Sequence, residues 1–205
     1  MFTGFYARVY DQIASGAERA GLSAERRALL ARAVGATIEV GAGTGLNLAH
    51  FPPAVTRLCL VEPDPNMRKR LRRRVDGRDD VEITDARAEA LPFPDASFDT
   101  AVVTFALCSV ADPDIALAEI ARVLRPGGQL LFAEHVRSGE PDVAARQDHR
   151  PLPYKLMGCH PNRATLDSLT SSPLRVEDVR HGEVPKAPRI ERPMIAGAAR
   201  LPGAG

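Results

Sequence analysis

Three glycines spaced two apart, Gly41, Gly43 and Gly45, follow the apolar run Thr37-Ile38-Glu39-Val40. A strand that ends in such a loop lets the backbone come close to a ligand, because glycine tolerates positive φ. In an open α/β sheet this is the crevice where nucleotides bind. The dinucleotide pattern G-x-G-x-x-G needs its third glycine at position 46, and that residue is Leu46. Glu39 stands two residues ahead of the loop. Pyrophosphate on a helix N-terminus disfavours a carboxylate there, whereas a cationic ligand welcomes one. Glu62 ends the next apolar run, 17 residues beyond Gly45. A carboxylate in that place can accept hydrogen bonds from both hydroxyls of a ribose. The spacing asks for an adenosine that carries positive charge and no phosphate.

S-adenosylmethionine fits that description, with an ammonium, a sulfonium and no phosphate. Methyl transfer from a sulfonium is an in-line displacement that depends mostly on alignment. A general base is needed only where the acceptor keeps its proton at neutral pH. His135, at the end of an apolar run, is the preferred candidate, because imidazole titrates near neutrality. Cys108 and Ser109 come next, and Asp11, Asp148, His149, Cys159, His160 and Arg163 are more remote candidates. Cys108 reads more readily as a small buried hydrophobe than as a nucleophile. The three cysteines, Cys59, Cys108 and Cys159, include no C-x-x-C pair, and Cys159-His160 alone supplies too few ligands for zinc, so no metal is expected. The basic run from Met67 to Arg74 reads as a solvated helix face with Met67, Leu71 and Val75 turned inward. A net charge of +1 and the lack of Trp argue against nucleic acid as its partner.

The elements that must position these groups alternate along the chain. Strands are expected at 37–40, 57–62, 81–84, 100–105 and 129–135, with helices at 65–75 and 112–124 between them. Asp64 is placed to cap the first of these helices, with Pro65 at its first position. Alternating strands and helices give right-handed βαβ units and a parallel sheet covered on both faces. Ahead of the sheet, residues 3–20 show helical spacing, with Phe5, Val9, Ile13 and Ala17 on one face. A second helix runs from an N-cap at Ser23 to Val34, with Gly35 ending it. Residues 138–163 carry Pro141, Pro151, Pro153 and Pro161 and read as irregular. A helix at 163–171 and strands at 174–179 and 193–201 follow, with a loop at 182–193. The chain of 205 residues is expected to form one domain. Its parts are a helical cap (1–34), a cofactor-binding core (36–136), an irregular substrate-side segment (138–172) and a C-terminal strand pair (173–205). No apolar run approaches the length of a membrane span, and the N-terminus does not read as a signal peptide, so a soluble, cytoplasmic protein is expected.

Four stretches carry a resemblance: IEVGAGTG at 38–45, LVEPDP at 60–65, AEALPFPDASFDTAVV at 88–103 and VLRPGGQLLFAEHV at 123–136. In that order they resemble the class I S-adenosylmethionine-dependent methyltransferases over nearly the whole chain. Residues 107–136 and Gly158-Cys159-His160-Pro161-Asn162-Arg163 are similar to the thiol methyltransferase-like branch and its bacterial relatives. The resemblance implies a Rossmann-like α/β fold, with a mostly parallel seven-stranded sheet, helices on both faces and an antiparallel last strand. It implies S-adenosylmethionine as cofactor and S-adenosylhomocysteine as product. Gly41, Ala42, Gly43 and Gly45 would line the amino-acid and ribose part, with Glu39 beneath them. Glu62 would bind the ribose hydroxyls, and Pro63 and Met67 join the cofactor set. Ala88 and Glu89 would bracket the adenine, with Arg87 where relatives often have Asp and Asp85 the nearest acid. Thr104 and Phe105 would face the methionine part, and Tyr10 would lie on a helix closing over the cofactor. The expected partner is a small-molecule methyl acceptor, a thiol first. Phenolic, quinone-like and amine or lipid-headgroup acceptors are the alternatives, as is a protein that binds the cofactor without catalysis.

Overall fold

A computed structural model describes residues 4–149 and 158–203, with side chains from Tyr10 onward. Five strands run parallel: β1 (Gly35–Val40), β2 (Val55–Val61), β3 (Val81–Thr84), β4 (Phe98–Thr104) and β5 (Leu124–His135). The last strand, β7 (Pro193–Arg200), lies antiparallel both to β5 and to β6 (Arg175–Glu183). Together they make one seven-stranded sheet in the order β3-β2-β1-β4-β5-β7-β6. The chain leaves β1 toward β2 on one side and returns to β4 on the other. That reversal opens a crevice beyond the carboxyl end of β1.

Side chains alternate across β4, so Ala101 and Val103 join one core while Val102 joins the other. The first core packs against α4 (Pro113–Val123) through Ala116, Leu117 and Ile120. The second packs against α2 (Ser23–Leu30) through Leu29 and Leu30. Burial on both faces is why β1, β2 and β4 read as near-continuous apolar runs. β6, at the open edge, is mostly exposed, and carries Arg175, Glu177, Asp178, Arg180, His181 and Glu183. Small residues in β7 let β6 pack close: a Cβ at Gly197 would collide with the Asp178 carbonyl.

The helix starts follow their capping residues. Asp64 accepts from the amides of Asn66 and Met67 at 2.8 and 3.1 Å, with Pro65 opening α3 (Pro65–Arg74). Asp112 does the same for α4. α3 turns Met67 and Leu71 inward.

The N-terminal region departs from the sequence expectation. α1 (Gly4–Ala17) runs into a π-helical turn, Glu18–Leu22, broken at Gly21 with φ 132°. The chain enters α2 from that turn already helical, so Ser23 is not a cap, and its hydroxyl meets His50 Nε2 at 3.3 Å. α2 ends at Leu30, and Gly35 opens β1 with φ 66°. The Asp99 carboxylate occupies the space where a Cβ of Gly35 would lie. Ile13 is 63% exposed, because α1 overhangs an open cleft and does not pack on the core. Phe5, Val9, Pro151 and Pro153 lie outside the described side chains.

Residues 138–163 are also more regular than expected. They contain α5 (Pro141–Asp148), which opens on a proline and buries Val143, Ala144 and Gln147. Proline is tolerated in the first turn of a helix, so Pro141 starts this element and does not break it. α6 (Thr165–Ser171) then leads into β6. β5 begins at Leu124 and runs through Pro126-Gly127-Gly128, which form a bulge in the strand and not a turn before it. Among the described residues no helix is long and apolar enough to cross a membrane.

Candidate active site

A cleft of about 1110 Å³ opens at the carboxyl ends of β1, β2, β4 and β5, roofed on one side by α1. A smaller hollow of about 210 Å³, against Phe51, Pro53 and Arg78, lies at the opposite end of the strands. The glycine loop builds one wall of the cleft. Gly41, Gly43 and Gly45 all take positive φ, at 77°, 59° and 88°. A Cβ at Gly41 would strike Ala106, so this glycine lets the loop after β4 close in. A Cβ at Gly43 would meet no protein atom within 4 Å. Ala42 is buried beside them and also lines the cleft. Gly45 is a correction, because it does not reach the cleft wall. Its bare backbone packs where a Cβ would lie 2.7 Å from Leu71 and 2.8 Å from Leu48.

Two carboxylates face this wall. Glu39 is buried, and its Oε1 accepts from Asn47 Nδ2 at 2.8 Å. Its Oε2 is sealed from solvent and has no hydrogen-bond partner. Burial pushes its pKa up to about 7. Glu62 Oε2 accepts from the Gly43 amide at 2.7 Å and Oε1 from the Asp64 amide at 2.8 Å. A carboxylate has about four acceptor positions, so each oxygen keeps one for a ligand. Burial raises the Glu62 pKa. Pro63 and Met67 continue the wall beyond it.

Ala88, Glu89, Asp85 and Arg87 line the next part of the cleft. Asp85 is held by a fork of two bonds from the buried Arg68, at 2.7 and 2.6 Å. Glu89 accepts from the Ala111 amide at 2.6 Å, joining this wall to the loop after β4.

Thr104, Phe105 and His135 close the cleft at the ends of β4 and β5. Phe105 adopts φ 54°, an uncommon conformation for a bulky residue that needs external support. Support comes from the fully buried Glu134, which accepts from the next three amides, Ala106, Leu107 and Cys108, at 2.8, 2.9 and 3.2 Å. Burial pushes Glu134 up to about 7. Beneath Phe105 the buried Arg26 bonds Glu18, Asn47 and Thr104. The His135 ring packs against Phe105, centroids 4.8 Å apart and tilted by 50°, and hydrogen-bonds the Glu191 carbonyl. Its Nδ1 is buried without a partner, so Nε2 carries the proton toward Glu191. Burial lowers the ring pKa to about 4.

Tyr10, Cys108, Ser109, Cys159, His160 and Arg163 also line the cleft, whereas Asp11, Asp148 and His149 do not. Asp148 pairs with Arg137 at 2.5 Å on the exposed surface. Asp11 instead ties α1 to the body, bonding Thr44 at 2.6 Å, Arg70 at 3.0 Å and Arg74 at 2.7 Å. Sequence reasoning missed Arg26, Asn47 and Glu134, whose partners lie far along the chain. It also missed the wall formed by Val184, Lys186, Ala187 and Glu191, which read only as a loop.

Residues 38–132 match the family model described as a methyltransferase domain. Over 169 residues the chain is 31% identical to the human thiol S-methyltransferase TMT1A, covering 79% of this chain and 69% of that protein. This chain belongs to the class I S-adenosylmethionine-dependent methyltransferases. The methyltransferase is also 50% identical over 70 residues to the ubiquinone/menaquinone biosynthesis C-methyltransferase UbiE of Hahella chejuensis (strain KCTC 2396). That match covers 34% of this chain and only 28% of UbiE. In fold it is similar to geranyl diphosphate C-methyltransferase from Streptomyces coelicolor A3(2), solved with S-adenosylhomocysteine. The TM-score is 0.68 at 15% identity, over 87% of this chain and 76% of that one. The cofactor of the methyltransferase is S-adenosylmethionine, and its site fits a cation: Glu39 lines the cleft with its buried Oε2 unpartnered, and the glycine wall leaves room at Gly43. Among the described residues no three His, Cys, Asp or Glu side chains gather to hold a metal.

Proposed function

We propose that this methyltransferase methylates the sulfur of a small, largely apolar thiol. The observation that carries this reading is the make-up of the wall facing Phe105. Leu22, Val184 and Ala187 share an apolar cluster with Phe105, and Ile13, Ala14 and Glu191 line the same cleft. An apolar wall favours an apolar acceptor body, and a thiol needs little help to ionise, with an ordinary pKa of about 8.5. The similarity to TMT1A points the same way.

S-adenosylmethionine, when bound, supplies a methyl group already activated on sulfonium. The chain's own residues bind and orient. Glu39 Oε2 takes the ammonium, and Glu62 accepts from the ribose hydroxyls with the positions its backbone bonds leave open. Gly41, Ala42 and Gly43 keep the wall low beside them, with Pro63 and Met67 along the ribose. Ala88 and Glu89 flank the adenine. Thr104 and Phe105 border the methionine part, and Tyr10 covers it from α1. An imidazole with a pKa of about 4 is a weak base at neutral pH, so His135 holds the acceptor by accepting a hydrogen bond at Nδ1. Glu191 is the group that takes the acceptor's proton. It lines the cleft, burial raises its pKa, and no cation pairs with it among the described residues.

Transfer of labelled methyl into a panel of thiols, phenols, quinols and amines tests the reading. Apolar thiols are expected to be labelled fastest. Labelling of a phenol, quinol or amine with no labelling of any thiol would overturn it.

A further inference from the structure

Two thiols face each other in the cleft wall. Cys108 Sγ and Cys159 Sγ lie 3.7 Å apart, and both residues line the cleft. Neither is in a disulfide. Cys108 sits in the loop after β4, at 1% exposure, and Cys159 is the more exposed of the two. The two segments are already docked: the His160 amide donates to the Cys108 carbonyl at 2.8 Å, and Arg163 donates to the carbonyls of Leu107 and Val110. A disulfide needs its sulfurs at about 2.05 Å, so the two must close by under 2 Å.

We propose that Cys108 and Cys159 form a redox-reactive dithiol that exchanges with small-molecule disulfides, and that the resulting internal disulfide restricts the acceptor end of the cleft. Cys159 meets the dissolved disulfide RS–SR first. Its sulfur bonds one sulfur of RS–SR, and the other leaves as RS⁻, which takes up the proton that Cys159 lost. Cys108 then bonds Cys159 sulfur and expels the second RS⁻, which takes up the Cys108 proton. The dithiol has lost two electrons and the small disulfide has become two thiols. Contact with Cys159 and burial keep Cys108 protonated until that second step, which suits a resolving thiol better than an attacking one. The third cysteine offers an internal control. Cys59 is fully buried on β2, its nearest polar neighbour is Thr84 Oγ1 at 3.7 Å, and burial pushes its thiol up to about 11.

The bridge pins the 158–163 segment to the loop that carries Phe105, and so acts on the acceptor side and not on the glycine loop. This inference needs the chain only to be a methyltransferase; it does not depend on the acceptor being a thiol.

The test is a redox titration of the intact protein in buffers of reduced and oxidised glutathione. It is read by alkylation in denaturant after an acid quench, by intact mass and by peptide mapping. The wild type is expected to lose two alkylatable thiols together, to become lighter by about 2 Da, and to yield a linked Cys108–Cys159 peptide. Dithiothreitol reverses all three. C59S follows the wild type, and C159S and C108S form no linked species. C159A guards against a serine at that position disturbing the fold. Each variant is compared with itself in the two redox states: oxidation raises the wild-type KM for the acceptor about threefold or more and leaves S-adenosylmethionine binding within about twofold, whereas in C159S it changes neither. Three thiols surviving through the titration, a stable glutathione adduct in place of the bridge, or an unchanged acceptor KM in the bridged enzyme would each overturn the proposal.

Discussion

A carboxylate oxygen sealed from water with no partner is costly until a ligand completes it. Glu39 is that group, and with a pKa of about 7 the cofactor role proposed for it predicts a pH-dependent affinity. Binding a cation favours the charged form, so below about pH 7 a proton must leave as the ligand enters. The affinity for S-adenosylmethionine is expected to fall by up to about tenfold per pH unit below that point. Calorimetry in buffers of different ionisation enthalpy would detect the released proton, and E39Q is expected to bind more weakly with a flat pH profile. Glu62 differs because both of its oxygens already accept backbone bonds. E62A is expected to weaken cofactor binding by about 10- to 100-fold, through lost ribose contacts and a loosened Gly43 amide. An E62A protein with wild-type affinity would remove the ribose assignment. His135 titrates the other way. Its folded pKa of about 4 lies below the ordinary value of about 6.5, so the unfolded chain takes up the proton first as pH falls between those values. His135 therefore lowers stability across that window, and it has no such effect above about pH 6.5. Its ring resonances are expected to stay unchanged from pH 5.5 to 8 in an NMR titration.

Elements are held in register by single side chains that reach several of them. Gln147 is fully buried on α5 and offers its amide nitrogen to the carbonyls of Val136, Pro161 and Ile190, at 3.1, 2.9 and 2.9 Å. Its oxygen accepts from the Ser138 amide at 2.8 Å. One side chain thus joins the end of β5, the 158–163 segment and the turn that presents Glu191. Q147A leaves several buried carbonyls without donors and is expected to cost about 2–4 kcal/mol, read as a lowered midpoint in urea unfolding. Such devices explain which elements were legible. β1, β4 and the caps at Asp64 and Asp112 were readable because apolar runs, prolines and cap residues act over a few residues. α5 was not, because Pro141 read as a breaker and its buried face is completed by Gln147, a polar residue whose partners lie up to 43 positions away. The left-handed Phe105 was likewise invisible, since its support, Glu134, bonds amides 26 to 28 residues earlier.

At the scale of the whole molecule, α1 roofs the cleft and is fastened by Asp11 to Thr44, Arg70 and Arg74. The arginine-rich face of α3 thus has a partner inside the chain, which bulk charge could not reveal. These ion pairs are partly exposed and screened by salt, so each contributes modestly. D11N is expected to speed cofactor release by about three- to tenfold in stopped-flow measurements, and high salt is expected to have the same effect on the wild type and little on the variant. Gly21, with φ 132°, breaks the helix where the roof joins the body.

The same sheet that aims its parallel strands at the cleft ends on its far side in β6. An edge strand leaves its outward amides and carbonyls unpaired, a standing invitation for a second chain to add a strand. Here Arg175, Glu177, Asp178, Arg180, His181 and Glu183 crowd that edge, six ionisable side chains in nine residues. A visiting strand would have to strip water from that row. The charged row thus makes this edge of the sheet costly for an added strand to cover.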